Sequence, residues 1–265
     1  MTDIVEHEVG DVTVLALCDA VGTFDEPARA LFPGATTRLW AESARIDPLA
    51  AGLDDPWRLT FRCFAVRDAG GGVLLVDAGI GPSSDWSPSP GRLPARLAEA
   101  GITPDDVTTV LLTHLHTDHI GWAAVDGEPY FRNARYVVQR EEVTHYPWLR
   151  DTLLDPLRDR LHLLDGRTAV TPSVTAVPAP GHTPGHQAVL VSSGGTDLVL
   201  GGDVVQHAVH LLDPDVGYAY DADPEVARAT RRALLAEVLQ RGAALGTAHI
   251  NVPFVTGWPV STSGS

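Results

Sequence analysis

Hydrophobic positions along this chain gather into short runs of strand length, separated by Gly-, Pro- and Asp-rich breaks. Residues 12–19 (VTVLALCD) alternate weakly and predict an edge or second strand of a sheet. Residues 61–66 and 73–76 flank a glycine-rich turn, AGGG, and together predict a hairpin. Residues 110–112 are wholly apolar and predict a buried strand, with further strands at 135–139, 174–177, 188–192 and 198–200. Helical signals fall between them. Residues 93–100 form a short helix closed by Gly101, and Thr103 with Pro104 makes a second helix start. REEVTHY opens another helix, and residues 146–164, rich in Trp, Leu and Pro, predict helices packed over one face. The clearest helix runs from its cap Asp223 through Pro224 to Gly242, with Val226, Ala229, Ala233, Leu234 and Val238 at helical spacing. Between residues 20 and 59 the periodicity dissolves into Gly, Pro, Asp and scattered aromatics: Phe24, Phe32, Trp40 and Trp57. Its apolar content argues against disorder. Short helices near the mouth of a functional site, or aromatics that only fill the core, explain it equally well.

The apolar run at 110–112 feeds directly into the most chemically loaded stretch, VLLTHLHTDHIGW. There His114, His116, Asp118 and His119 stand in the pattern H-x-H-x-D-H. In extended chain, residues two apart point to one side, so His114 and His116 can face a common point. A turn into a helix would swing Asp118 and His119 toward a neighbouring one. Imidazole nitrogen and carboxylate oxygen suit zinc and other borderline divalent metals. Four such residues are one more than a catalytic zinc takes from protein and too few for two ions, so partners are expected downstream. Candidates are His182 in PAPGHTPGH, Asp203 in LVLGGDVV and His249 in LGTAHINVP, each ending an apolar or Gly/Pro-bounded run.

In these motifs, in their order and in their approximate spacing over residues 74–249, the sequence resembles the dinuclear metallohydrolases of the metallo-β-lactamase superfamily. The resemblance implies an α/β fold, a four-layered αββα sandwich, as a single domain over residues 1–265. Residues 20–60 would then be an N-terminal extension near the active-site mouth. It implies one metal on His114, His116 and His182 and a second on Asp118, His119 and His249, with Asp203 bridging. Asp77, in the VDAGIG turn with Gly79, would support the ligands from behind. The implied reaction is hydrolysis by a metal-bridging hydroxide, with Asp203 holding the pair and Asp118 relaying a proton. Two divalent ions are expected, zinc by default, with manganese, cobalt or iron also suited to these donors. DHIGW, FRNARYVVQREE and the doubled TPGH look most like the lactonase and organophosphate-hydrolase-like branch. Acyl-homoserine lactonases of this kind often carry a tyrosine three residues beyond the bridging aspartate. Gln206 stands there instead, with Tyr218 and Tyr220 further on. Trp122, Trp86 and Phe24 are candidate pocket walls, and core packing explains each equally well. His186 is expected behind the ligands and His207 at the pocket, whereas His7, His145, His162 and His210 read as surface or core residues.

Composition narrows the alternatives. Net charge is −15, and two divalent ions would leave it strongly negative, which disfavours nucleic acid as substrate. No membrane span and no signal-peptide pattern is present, and the only cysteines, Cys18 and Cys63, read as free buried thiols. A cytoplasmic enzyme acting on a small molecule is expected, and a homodimer is compatible with it. No G-x-S-x-G elbow competes with the metal route. A lactone or carboxylic ester is the favoured substrate. The alternatives are a thioesterase of glyoxalase II type, for which no basic cluster is visible, and a mononuclear iron oxygenase on the same fold. A non-catalytic scaffold is disfavoured because all seven ligand types survive.

Overall fold

Alternating apolar positions on both faces of consecutive strands build two sheets that pack face to face. The computed structural model describes residues 3–50, 52–67, 71–83 and 90–258. Trp86, most of the SSDWSPSPG loop, part of the AGGG turn and the VSTSGS tail lie outside these residues. The first sheet takes β1 (Ile4–Val9), β2 (Val12–Pro27), β3 (Pro56–Arg67), β4 (Val73–Val76) and β5 (Val107–Leu111). A small ribbon follows, β6 (Ala124–Val125) with β7 (Glu128–Pro129), and then β8 (Arg135–Gln139) and β9 (Leu161–Leu164) complete the sheet. Its order is β1-β2-β3-β4-β5-β8-β9, antiparallel up to β4 and parallel from there on. The second sheet runs in sequence order through β10 (Thr168–Ala169), β11 (Val174–Pro178), β12 (Gln187–Ser193), β13 (Thr196–Leu200), β14 (Ala244–Gly246) and β15 (Phe254–Val255).

Val14, Phe64, Leu74, Val76 and Leu111 of the first sheet meet Val174, Val189, Val191, Leu198 and Leu200 of the second. Each fully buried Val or Leu there is worth about 1.5–3 kcal/mol. Among the described residues, eight α-helices surround the sheets: α1 (Ala28–Leu31), α2 (Thr37–Ser43), α3 (Leu93–Glu99), α4 (Thr117–Ile120), α5 (Arg140–His145), α6 (Asp155–Leu157), α7 (Val209–Leu212) and α8 (Pro224–Arg241). On the outer face of the first sheet, Leu15, Leu75 and Val110 pack with Leu93 and Leu97 of α3. On the outer face of the second, Leu190, Val199 and Leu245 pack with Leu234, Leu235 and Val238 of α8. The result is the expected αββα layering, and no described helix is long and apolar enough to cross a membrane.

Several elements differ from the sequence pattern for identifiable reasons. Strand β2 continues past residue 19 to Pro27 because a register shift between Cys18 and Ala20 interrupts the alternation without ending the strand. Asp19, inside that bulge, is fully buried and accepts from the amides of Ile80 and Leu93, tying β2 to the turn after β4 and to α3. Phe32, Trp40 and Trp57 form a satellite core with α1, α2 and α7, so most of the aromatics of 20–59 are core. Thr103 and Pro104 begin only a single 3-10 turn, closed by Asp106 as a capping box. The 146–164 segment holds short helical turns and then β9 rather than longer helices. Helix α8 starts on its Asp223 cap, stops at Gly242 with left-handed backbone and buries Leu234 and Val238, as expected, but the rest of its buried face is shifted. Val226, Ala229 and Ala233 are exposed, whereas Ala227 and Arg231 are buried. Cys18 and Cys63 are free thiols.

Candidate metal centre

The ligand loops all leave strand ends at one rim of the sandwich. β5 delivers His114 and His116 and runs into α4, whose first turn carries Asp118 and His119. His182 follows β11, Asp203 follows β13 in a 3-10 turn, and His249 follows β14. Gly202 precedes Asp203 with φ +52, and a Cβ there would lie 2.7 Å from His186 Nε2, so the approach requires glycine.

All seven predicted ligands are brought together, in two groups: His114, His116, His182 and Asp203, and beside them Asp118, His119 and His249. In the first, His182 Nε2 lies 3.1 Å from His116 Nδ1 and 3.2 Å from Asp203 Oδ2, and His114 Nε2 lies 3.6 Å from the same oxygen. In the second, Asp203 Oδ1 lies 3.2 Å from His119 Nε2 and 3.1 Å from His249 Nε2. Asp118 Oδ2 lies 3.4 and 3.6 Å from the same two nitrogens. A tetrahedral ion with bonds of about 2.0–2.1 Å sets its ligand atoms roughly 3.3–3.4 Å apart. The donor spacing matches, and Asp203 offers one oxygen to each position.

Hydrogen bonds fix which ring atoms face inward. His119 Nδ1 meets Asp77 Oδ2 at 2.8 Å, and His249 Nδ1 meets the Thr60 carbonyl at 2.9 Å. Both partners only accept, so each Nδ1 donates and each Nε2 presents a lone pair to carboxylates that also only accept. Buried His114 Nε2, His119 Nε2 and Asp203 Oδ1 have no hydrogen-bond partner. Positive charge must enter between these atoms. Burial alone pushes the His119 imidazole down, yet Asp203, Asp118 and Asp77 together hold it well above its ordinary value. At His182 burial is likewise outweighed, by Asp203 and Asp221, which raise it to about 9. A divalent cation answers the same demand without protons, and this donor set fits one at each position.

The supporting residues are mostly ones that sequence reasoning missed. Asp77, expected behind the ligands, sits with φ +61 and accepts from the Thr113 amide at 2.7 Å and the Thr113 hydroxyl, which in turn lies 3.0 Å from His114 Nδ1. One carboxylate thus steadies a ligand of each position. His182 Nδ1 lies 3.2 Å from Asp221 Oδ1, and Tyr146 Oη lies 3.1 Å from His116 Nε2. Glu142, fully buried, accepts from the amides of Leu115 and Gly185 and from the Thr183 hydroxyl, binding the His114–His116 loop to the His182 loop. A Cβ on Gly185 would come within 2.1 Å of the Glu142 amide nitrogen, which explains the glycine of TPGH. His186 Nε2 accepts from the Asp203 amide at 3.0 Å, and burial holds its pKa at about 3, so it stays neutral there.

A cavity of about 490 Å³ opens over the ligands. Its walls include Phe24, Leu59, Tyr146, Trp148, Tyr218 and Tyr220, with Asp118, Asp203 and Gln206 at the floor. Phe24 is therefore a wall, as expected. Trp122 is not: it packs into the core outside the first sheet, against Tyr130. His207 also misses the cavity, being buried and stacked on Trp40 at 4.1 Å. Gln206 donates through Nε2 to Asp203 Oδ2 at 2.8 Å.

An N-acyl homoserine lactonase of Bacillus cereus is 31% identical over 111 residues, 41% of this chain and 42% of that protein. One from Bacillus thuringiensis is 29% identical over 135 residues, 49% of this chain and 51% of that protein, so the chain spans about half the length of the curated relatives it matches. Among solved structures, the dizinc quorum-quenching lactonase AidC, in complex with a product, superposes with a TM-score of 0.82 at 21% identity, covering 98% of this chain and 95% of that one. At that identity the likeness shows the fold. The Metallo-beta-lactamase superfamily model matches residues 62–249, which takes in every ligand loop, and the chain belongs to that superfamily.

Proposed function

We propose that this protein is a dinuclear metal-dependent hydrolase of a lactone or carboxylic ester. The observation that carries the reading is the pair of donor groups sharing Asp203 at the floor of an apolar, aromatic-walled cavity. The lactonase names of its relatives and of AidC support it. Two ions bound there would supply an acidified water at neutral pH and an electrophile for the carbonyl oxygen, and zinc suits the donors.

The chain's own groups do the rest. Asp203 and Asp118 converge on the Nε2 atoms of His119 and His249 and fix the floor of the site. Asp118 also lines the cavity, where its carboxylate can take a proton from the attacking water and pass it to the leaving alkoxide. A donor is needed where negative charge builds on the carbonyl oxygen. Gln206 is engaged with Asp203 and Tyr220 with Glu26. Tyr146 can supply the donor, because a His116 ring with Nδ1 turned to the ion carries its hydrogen on Nε2 and leaves the Tyr146 hydroxyl hydrogen free. Tyr218 is the second candidate: its ring packs 5.9 Å from that of His182 on the cavity wall. Burial, and after it the Asp203 charge, push its phenol well above the ordinary value, so it keeps its proton at neutral pH.

No arginine stands among the described cavity walls, and the sequence has no lysine, which argues against an anionic thioester of glyoxalase II type. The test is proton release by metal-loaded protein across lactones, esters, thioesters and phosphotriesters, with Asp203→Asn as control. Turnover of one ester class, lost by orders of magnitude in the variant, is expected; near-wild-type turnover in Asp203→Asn would overturn the bridging role.

A further inference from the structure

The two metal positions differ in the charge that surrounds them. At the first, the ligands besides the shared Asp203 are three neutral imidazoles, His114, His116 and His182. The carboxylate behind them, Asp221, is held by the Arg231 guanidinium at 3.1 Å, both side chains being 1% exposed. Arg231 cannot swing away, because its other nitrogens donate to the carbonyls of Val204, Pro214 and Val216 at 2.7–3.1 Å. The buried cation on α8 thus cancels the charge that Asp221 would lend to His182.

The second position has the opposite balance. Asp118 is a direct ligand alongside His119, His249 and the shared Asp203. Asp77 backs His119 with a carboxylate whose other partners, the Thr113 amide and hydroxyl, are neutral. Two other buried charges lie nearby and do not reverse the count. Glu142 bonds to Leu115, Thr183 and Gly185 and has no hydrogen bond to an imidazole, so its charge reaches His182 only through space, unlike the direct contact of Asp77 with His119. Arg62 donates to the carbonyls of Thr247, Ile250 and Asn251 and touches neither a ligand side chain nor a supporting carboxylate.

We infer that the positions load unequally: the first divalent ion enters the Asp118–His119–His249 position, and the His114–His116–His182 position is the weaker one that completes the site. The difference follows from one extra anionic ligand and one uncompensated supporting carboxylate, the latter alone a class of contact that changes metal affinity by about 10–100-fold. The inference builds on the hydrolase reading only in its consequence: catalysis by a pair of ions would then follow occupancy of the weaker position and so respond to metal supply.

Metal-free protein titrated with zinc chloride against a chromogenic chelator tests the order without substrate. Two steps are expected in the wild type, separated by at least about tenfold in affinity. His116→Ala should remove the weaker step and spare the tighter one. Asp118→Asn, which keeps the shape and removes the charge, should weaken the tighter step until the two nearly merge. Unfolding midpoints of the metal-free variants control for folding. A single step of uniform affinity in the wild type, loss of the tighter step in His116→Ala, or an unshifted tighter step in Asp118→Asn would overturn the inference. Unequal binding without hydrolysis of any ester would leave the inference standing and remove the hydrolase reading instead.

Discussion

Glu142 joins two ligand loops through one buried carboxylate, so its removal should cost both stability and metal. Its Oε1 accepts from the Leu115 amide at 3.0 Å, and its Oε2 accepts from the Thr183 hydroxyl at 2.8 Å and the Gly185 amide at 2.9 Å. Each buried donor left without a partner costs about 1–3 kcal/mol, so Glu142→Ala forfeits roughly 3–9 kcal/mol in gross terms. Burial pushes the Glu142 carboxyl above its ordinary value, and relief of that desolvation returns part of the loss. A net destabilisation of about 2–4 kcal/mol is expected. Glu142→Gln keeps the shape but turns an amide nitrogen toward one donor, for about 1–3 kcal/mol, and Thr183→Val, losing one hydrogen bond, should cost about 1 kcal/mol. Urea denaturation of metal-free protein measures the series, and chelator competition measures the second effect. Leu115 lies between His114 and His116, and Gly185 lies three residues past His182, so the first metal position should lose affinity while the second, tied to none of these donors, keeps it. Equal losses at both positions, or an unchanged urea midpoint in Glu142→Ala, would refute the reasoning.

Asp77→Asn tests ligand orientation, since asparagine tolerates the left-handed backbone at φ +61. Its amide nitrogen would face His119 Nδ1, reverse the imidazole tautomer and put a hydrogen on the inward Nε2; a 10–100-fold loss of metal affinity at the second position is expected by chelator competition. Tyr218→Phe should lower kcat by about 10²-fold with KM and metal content nearly unchanged, whereas a large KM effect alone would assign Tyr218 to substrate binding. His207, buried and stacked on Trp40, reports on pH. Burial holds its pKa at about 3, below the unfolded value, so its contribution is complete above pH 6.5 and declines as pH falls toward 3. Between pH 6.5 and 5 that decline is about 2 kcal/mol, and His207→Gln should flatten the urea-measured slope by that amount.

The clustering of the seven candidate donors was legible in the sequence because each follows an apolar run, and strand ends are where the two sheets expose their loops. The residues that hold the ligands were not. Glu142 sits in REEV, which reads as an exposed helix start, and its partners are 27 to 43 residues away in the chain. Thr60 supports His249 from 189 residues away, by a backbone carbonyl that carries no residue-type signal. On α8 the alanines misled: Ala229 and Ala233 favour helix whichever way they face, and both are exposed. The helix turns its buried face so that Arg231 can reach Asp221, and a buried arginine contradicts any reading by hydrophobic period.

The same topology makes metal binding part of the fold's stability. At the first position His114 and His116 come from the end of β5 in one sheet, and His182 and Asp203 from the other. At the second, Asp118 and His119 belong to the first sheet's loop, and His249 and Asp203 to the second sheet. Neither donor set exists until the two sheets dock through Leu111, Val76, Val189 and Leu200. An ion that binds only the docked arrangement stabilises it by mass action, about 2.7 kcal/mol at a hundredfold excess over the dissociation constant. Chelation should therefore lower the unfolding midpoint of the whole sandwich rather than loosen one loop. If the two positions differ in affinity, that loss should come in two stages as the chelator strips first the weaker ion and then the tighter one.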